Sequence, residues 1–252
     1  MIAIRSKEEV ARIRASARIV AEVLNRSESL MVPGTRTEEI ERAIEAWIRE
    51  RGGWPAFQGF EGYPASLCIS IDDEVVHGIP GKKRLQAGQL VSVDVGVGKA
   101  SYFGDAARTF LVGRVSEEKE RLARETEAAL WKGIEQAVPG NRIGDISHAI
   151  QVYVEAQGYS VVRDLVGHGI GRKPHEDPPV PNFGRPHTGP RLKAGMVLAI
   201  EPMVNIGTSD VRVLKDKWTV VTADRTASAH FEHSILITEG EAEILSRTSN
   251  PN

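Results

Sequence analysis

The stretch VSVDVGVGKASYFGD, residues 91–105, decides how the rest of the chain is read. Val91, Val93 and Val95 alternate with Ser92, Asp94 and Gly96, the period-2 pattern of a strand with one apolar face. Gly98, Lys99 and Ala100 supply a turn, and Tyr102 to Phe110 read as the returning strand. A turn centred on Lys99 and Ala100 sets Asp94 opposite Asp105. Directly paired side chains have Cβ atoms ~5 Å apart, where like charges repel. Either the hairpin is a surface ribbon whose aspartates are solvated, or a divalent cation makes the pairing tolerable.

Upstream of the hairpin, Val10, Ile13, Ala17, Val20 and Leu24 recur at helical spacing within residues 7–30. After the break MVPGTRT, Ile40, Ala43, Ile44, Trp47 and Ile48 form one face of a second helix, ending at Gly52-Gly53. An aromatic loop (54–67) and strand-like stretches at 67–71 and 75–77 lead into the hairpin. From 116 the pattern restarts with a helix in SEEKERLARETEAALWKGIEQ, a break and a second helix in DISHAIQVYVEAQG. VPGTRTEEIERAIEAWIRERG (32–52) and VPGNRIGDISHAIQVYVEAQG (138–158) share eight of 21 positions at an offset of 106. LQAGQLVSVDV (85–95) matches LKAGMVLAIEP (192–202) at an offset of 107, which places Asp94 on Glu201. Two copies of a helix–helix–strands unit are too few for a solenoid, so they are expected to pack about a pseudo-twofold axis, as halves near 7–110 and 116–235 of a single domain spanning 1–252. Equivalent strands meet near such an axis, and Asp94 and Glu201 then approach one central point. The segment 172–190, RKPHEDPPVPNFGRPHTGP, is expected to be ordered but irregular, and the tail SRTSNPN to fray.

Composition narrows the function classes. At 252 residues with net charge −2 and 26% charged residues, the chain has no electrostatic footprint for nucleic acid or a membrane surface. One cysteine, Cys68, excludes a disulfide framework and a Cys-cluster zinc module. The N-terminal stretch lacks the apolar core of a signal peptide, and no run is long enough to span a bilayer, so a cytoplasmic protein is expected.

The chemistry gathers at acids that end or interrupt apolar strands. Glu201 ends the run MVLAI, and Glu232 lies in HFEHSILIT, where alternation groups it with His230 and Ser234. His168 sits in GHGIG, whose glycines allow close approach of backbone and ligand, and His175 follows seven residues later. Singly, each also fits a bland role: a turn, a strand end, a solvated strand residue or a surface histidine. Clustered together, Asp94, Asp105, Glu201 and Glu232 carry four negative charges, prohibitive without compensation. Two divalent cations cancel them, and a neutral His168 adds a nitrogen ligand. Such an oxygen-rich set with one imidazole suits Mn, Fe, Co or Zn rather than calcium.

Across residues 5–245 the motifs LCIS (67–70), EVVHGIPG (74–81), VDVG (93–96), GDAARTF (104–110), GHGIGRKPHE (167–176), AIEPMVN (199–205), KDKWTV (215–220) and HFEHSILIT (230–238) resemble those of the type I, bacterial-form methionine aminopeptidases. The resemblance implies the α+β "pita-bread" fold, with a central antiparallel sheet and two helix pairs outside. It implies a dinuclear centre held by Asp94, Asp105, His168, Glu201 and Glu232, with Asp105 and Glu232 bridging. It makes His77 and His175 substrate contacts beside the catalytic Glu201, and puts Tyr63, Cys68 and Trp218, with Phe57 and Phe60 nearby, around the methionine side chain. The implied reaction is hydroxide attack on the first peptide bond of a nascent polypeptide whose second residue is small, by a monomer working at the ribosome without binding nucleic acid itself. Phe57, Phe60 and Pro174 depart from residues common in these relatives, which bears on fine specificity. A proline-specific aminopeptidase or dipeptidase shares the ligand set but usually carries a further N-terminal domain. A non-catalytic binding protein on the same fold would have lost ligands, and all five are present.

Overall fold

Ser6 and Ser116 each accept a backbone N–H from the first turn of a long helix, Glu9 at 3.2 Å and Lys119 at 3.3 Å. The helices they cap, α1 (Lys7–Ser27) and α3 (Glu117–Glu135), are each followed by a shorter one, α2 (Thr37–Glu50) and α4 (Ile143–Ala156). The computed structural model describes residues 2–248. Of the tail expected to fray, 249–252 lie outside the described residues. Its first residue, Ser246, is buried and accepts the Ser234 N–H at 3.0 Å, so the ordered chain extends further than its composition suggests.

The two halves repeat in hydrogen bonds as well as in sequence. Leu85 N–H donates to Thr35 O at 2.9 Å, and 107 residues on Leu192 N–H donates to Asn141 O at 2.8 Å. Thr37 N–H donates to Lys83 O and Ile143 N–H to Pro190 O, at 3.0 and 3.1 Å. Isolated bridges join Arg36 to Arg84 and Arg142 to Arg191. Gly34 and Gly140, which open the two V-P-G-x-R turns, have φ of 95° and 94°, a conformation disfavoured for residues with a Cβ. Each of these pairs keeps the offset of 106 or 107 found in the sequence.

The first half centres on the hairpin Gln89–Lys99 and Tyr102–Val112, flanked by Cys68–Ile71 and Trp54–Pro55. The second half carries a five-stranded antiparallel sheet in the order Glu243–Ile244, His233–Leu236, Val197–Ile200, Val166–Gly169, Glu176–Pro181. At the seam Ala107 and Glu232 exchange backbone hydrogen bonds at 2.9 and 3.4 Å. On either side of that pair Ser234 Oγ takes the N–H of Asp105 and donates to its carbonyl, while Thr109 Oγ1 does the same for His230. The seam is thus itself twofold: Asp105 corresponds to His230, Thr109 to Ser234, and Ala107 to Glu232. Val91, Val93, Val95 and Val97 bury their face with Ile40, Ile44 and Ile48 of α2. Leu198, Ile200 and Ile235 do so with Leu122, Leu130, Ile146 and Ile150 of α3 and α4. The helix pairs therefore cover one side, and Asp94 and Glu201 are left on the other. The architecture is the α+β pseudo-twofold one expected.

Three local expectations are corrected. The hairpin turns at Ala100 and Ser101, both at positive φ (50° and 63°), not at Lys99 and Ala100. Asp94 therefore lies opposite Ala107 and Asp105 opposite Gly96. A displacement of two residues keeps both acids on the same face, where a slip of one would have separated them. Residues 176–181, placed in an irregular loop because of their prolines, form a strand. It is the edge of the five-stranded sheet, where a missing N–H need not interrupt a ladder. The strand expected through Glu232 is interrupted: Ser228–His230 and His233–Leu236 belong to different sheets.

At Gly104, α1 crosses the hairpin so closely that a Cβ would lie 2.4 Å from the backbone nitrogen of Ala17. Gly104→Ala is expected to destabilise the fold by about 3 kcal/mol, because backbone rather than a side chain would have to move. A chemical-denaturation midpoint equal to that of the parent protein refutes this packing.

Candidate metal centre

Four carboxylates converge where the halves meet. Asp94 projects from the middle of Gln89–Lys99 and Asp105 from Tyr102–Val112, with Glu201 just past Val197–Ile200. Glu232 is held at the seam by its own backbone pairing with Ala107. One carboxylate oxygen each from Asp94, Asp105 and Glu232 lie within 4.8 Å of one another, as do single ligand atoms of His168, Glu201 and Glu232. Asp105, His168 and His175 make a third such group. Glu232, Asp105 and His168 thus each belong to two sets.

Such a cluster is costly for the protein alone. Asp105 and Glu232 are 3% and 2% exposed, and Asp94 Oδ1, Asp105 Oδ1 and Glu232 Oε1 have no protein hydrogen-bond partner. Burial pushes the Asp94 carboxyl up to about 7. Burial and mutual repulsion drive Asp105, Glu201 and Glu232 well above the usual carboxylate range. Burial also pushes His168 down to about 3, so it is neutral near pH 7. Its Nδ1 is 3.0 Å from the Gly169 carbonyl, and a proton donated there leaves Nε2 free as an acceptor, 3.5 Å from Glu201 Oε1. Unpartnered carboxylate oxygens around a neutral imidazole are the donor set of a divalent transition metal.

The acids floor a cavity of about 570 Å³ whose lining continues through Cys68, Tyr63, Trp218, Phe57 and Phe60 to His77 and His175. Cys68 is buried and lies opposite Asp94 in the sheet register, which carries the apolar wall directly to the acids. Tyr63 and Trp218 meet edge to face at 5.1 Å, and the Tyr63 hydroxyl is anchored on the Leu67 and Gly78 carbonyls at 3.2 and 3.1 Å. Phe60 meets the His175 ring edge-on at 5.1 Å, and the His175 and His168 rings are 4.2 Å apart. Burial depresses His77 to about 4 and also lowers His175. All twelve residues assigned to the site from the sequence therefore line one cavity.

The model of metallopeptidase family M24 matches residues 11–239. The chain belongs to this family. As an M24 chain it is 53% identical over 245 residues to a methionine aminopeptidase of Clostridium perfringens, covering 97% of this chain and 98% of that one. It is 47% identical to methionine aminopeptidase 1 of Bacillus subtilis, over 98% and 100% of the two chains. The crystal structure of a methionine aminopeptidase from Thermotoga maritima superposes with a TM-score of 0.97 at 45% identity, covering 98% of this chain and all of that one. Prolidase from Pyrococcus furiosus superposes with 0.78 at 24% identity, over 98% of this chain but 66% of the prolidase, a likeness of fold alone.

Some residues of this M24 site escape sequence reasoning. His230, 1% exposed, brings Nε2 to 3.9 Å from Glu201 Oε2, and neither ring nitrogen has another partner. Its alternation with Glu232 was visible, but its meeting with Glu201 depends on the seam between sheets. Asn182 Nδ2 donates to the Glu201 carbonyl at 3.0 Å from a segment expected to be ordered but irregular, with no pattern pointing to this contact. His77 sits at φ 59°, a conformation of order 1–3 kcal/mol less favourable for a residue with a Cβ, and no local pattern announces it.

Proposed function

We propose that the chain is a metal-dependent aminopeptidase that removes N-terminal methionine when the second residue is small. The observation that carries this reading is the continuity of the cavity, with unpartnered carboxylate oxygens at one end and an apolar, aromatic slot beside them. A peptide whose first side chain fills the slot presents its free amine and first peptide bond to the acids. The names of the relatives, 42–53% identical over nearly the whole chain, agree.

Asp94, Asp105, His168, Glu201 and Glu232 are the proposed metal ligands. The overlap of these ligand groups, through Glu232, Asp105 and His168, supports a site that would hold two ions, of Co, Mn, Fe or Zn. Divalent ions supply a Lewis acid and a hydroxide nucleophile near neutral pH. Glu201 would take the proton lost by the attacking water and return it to the leaving amine. His175, neutral, would donate a hydrogen bond to the scissile carbonyl as charge develops on its oxygen. His77 would border the second residue, and Tyr63, Cys68, Trp218, Phe57 and Phe60 would enclose the methionine thioether, whose sulfur gains ~0.3–1.5 kcal/mol per aromatic contact. The chain would act as one catalytic domain of two halves, as a cytoplasmic monomer on nascent chains at the ribosome. Among the described residues no helix is long and apolar enough to cross a membrane.

Steady-state comparison of Met-Ala-Ser, norleucine-Ala-Ser, Met-Lys-Ser and Ala-Pro-Ala tests the reading. Met-Ala-Ser should turn over fastest and the norleucine peptide within ~200-fold of it, since an apolar slot discriminates close isosteres by only ~1–3 kcal/mol. Met-Lys-Ser should remain intact. Equal turnover of Met-Ala-Ser and Met-Lys-Ser refutes the small-residue rule. Preference for Ala-Pro-Ala would instead make the enzyme proline-specific.

A further inference from the structure

His175 ends a short turn after Gly171, and that turn is fixed from a distant part of the chain. Glu176 Oε1 accepts the backbone N–H groups of Arg172 and Lys173, at 2.7 and 3.0 Å, and closes the turn on itself. Glu176 Oε2 accepts from Nη2 of Arg5, which precedes α1. The Arg5 side chain is only 7% exposed. It occupies the space a Cβ on Gly171 would need, 2.3 Å from Nη2, so this glycine forms its seat. The Arg5 backbone N–H is tied to the Gly195 carbonyl at 2.8 Å. Glu9, in the first turn of α1, holds the same region from outside. Its Oε1 accepts from Arg172 Nε at 3.1 Å and the Tyr102 hydroxyl at 3.0 Å, and lies 3.5 Å from Arg5 Nη1. Phe103 N–H anchors the Gly171 carbonyl at 2.8 Å.

We propose that Arg5 and Glu176 are positioning residues for His175: together they set the height and direction of its ring over the cavity. Exposed ion pairs fix little, but this one is partly buried, its side chains 7% and 17% exposed, and its carboxylate is divided between a guanidinium and two backbone donors. A planar guanidinium reaches Glu176 and Glu9 with different nitrogens, which a lysine ammonium cannot do. The residues before α1 thereby become part of the site although none of them lines the cavity. A displacement of a catalytic group by about 1 Å can cost ~10² in rate, so loss of this brace is read in kcat.

The proposal rests on the role given above to His175, and a double-mutant cycle separates the two. Arg5→Ala should lower kcat about tenfold with KM and bound metal unchanged, and Arg5→Lys should restore only part of it. Added to His175→Ala, Arg5→Ala should cost less than twofold, because no imidazole remains to be placed. The same fold-loss in both backgrounds overturns the proposal, as does a parental kcat in Arg5→Ala. Glu176→Gln keeps the side chain's shape but loses its charge, and serves if Arg5→Ala does not fold. A readout free of activity is the NMR signal of the His175 ring, identified by its absence in His175→Ala. It should shift in Arg5→Ala and Glu176→Gln while that of His148, on α4, stays; an unmoved His175 signal overturns the proposal. If His175→Ala alone has parental kcat, the catalytic role of His175 fails, and the ring signals still decide whether Arg5 places it.

Discussion

Stripped of metal with a chelator, the protein is expected to lose all measurable peptidase activity and to regain it on addition of Co, Mn or Fe. Asp94, Asp105 and Glu232 each hold a buried oxygen that finds no protein donor, which a metal ion would satisfy. The same acids predict how the metal-free protein responds to pH. Their folded-state pKa values lie above the ordinary ones, so folded chains hold more protons than unfolded chains. The stabilisation from those protons is complete below about pH 4, near the ordinary carboxylate values. It is lost as pH rises through the folded values, for Asp94 through about 7. The Tm of metal-free protein should therefore fall between pH 5 and 8, and metal should abolish the slope. Metal displaces these protons, so its affinity should rise with pH over the same range. Glu232→Gln removes one of the repelling charges and should raise the metal-free Tm at pH 8 while abolishing turnover. Full turnover in protein shown by elemental analysis to be metal-free would end the metal-dependent reading, and a flat metal-free Tm would show that the acids do not share one buried site.

His175→Ala is expected to retain metal and fold but to lose ~10²–10³ in kcat, the effect of removing one donor from an oxyanion-stabilising site. The ring is neutral near pH 7 and presented over the acids, edge-on to Phe60 and 4.2 Å from the His168 ring. Its loss should appear in kcat more than in KM, because the hydrogen bond strengthens only as the carbonyl becomes tetrahedral. Loss of bound metal in this variant would instead class His175 as a ligand, consistent with its place in a group with Asp105 and His168. Parental kcat would remove it from the mechanism.

The proposed ligands were legible because each acid stood where an apolar strand ought not to carry charge, and because a repeat of 106–107 residues tied Asp94 to Glu201. Those are local and periodic signals. The hairpin register was misread because Ala100 and Ser101 adopt the positive φ that glycine or asparagine normally announces. The edge strand Glu176–Pro181 was missed because proline opposes strands everywhere except at edges, and edges are a property of the assembled sheet. His230, Asn182 and Arg5 reach the site only through contacts between segments far apart in sequence.

The hydrogen-bonded pair at the seam carries one more consequence. A strictly duplicated molecule would offer its central groove to a peptide in two opposite orientations of equal energy. At the seam the hydrogen bonds repeat but the side chains do not: Ala107 corresponds to Glu232, and Asp105 to His230. These two exchanges give the groove a polarity at its centre. The chain can thus tell the beginning of a peptide from its end without building a separate wall to block one of them.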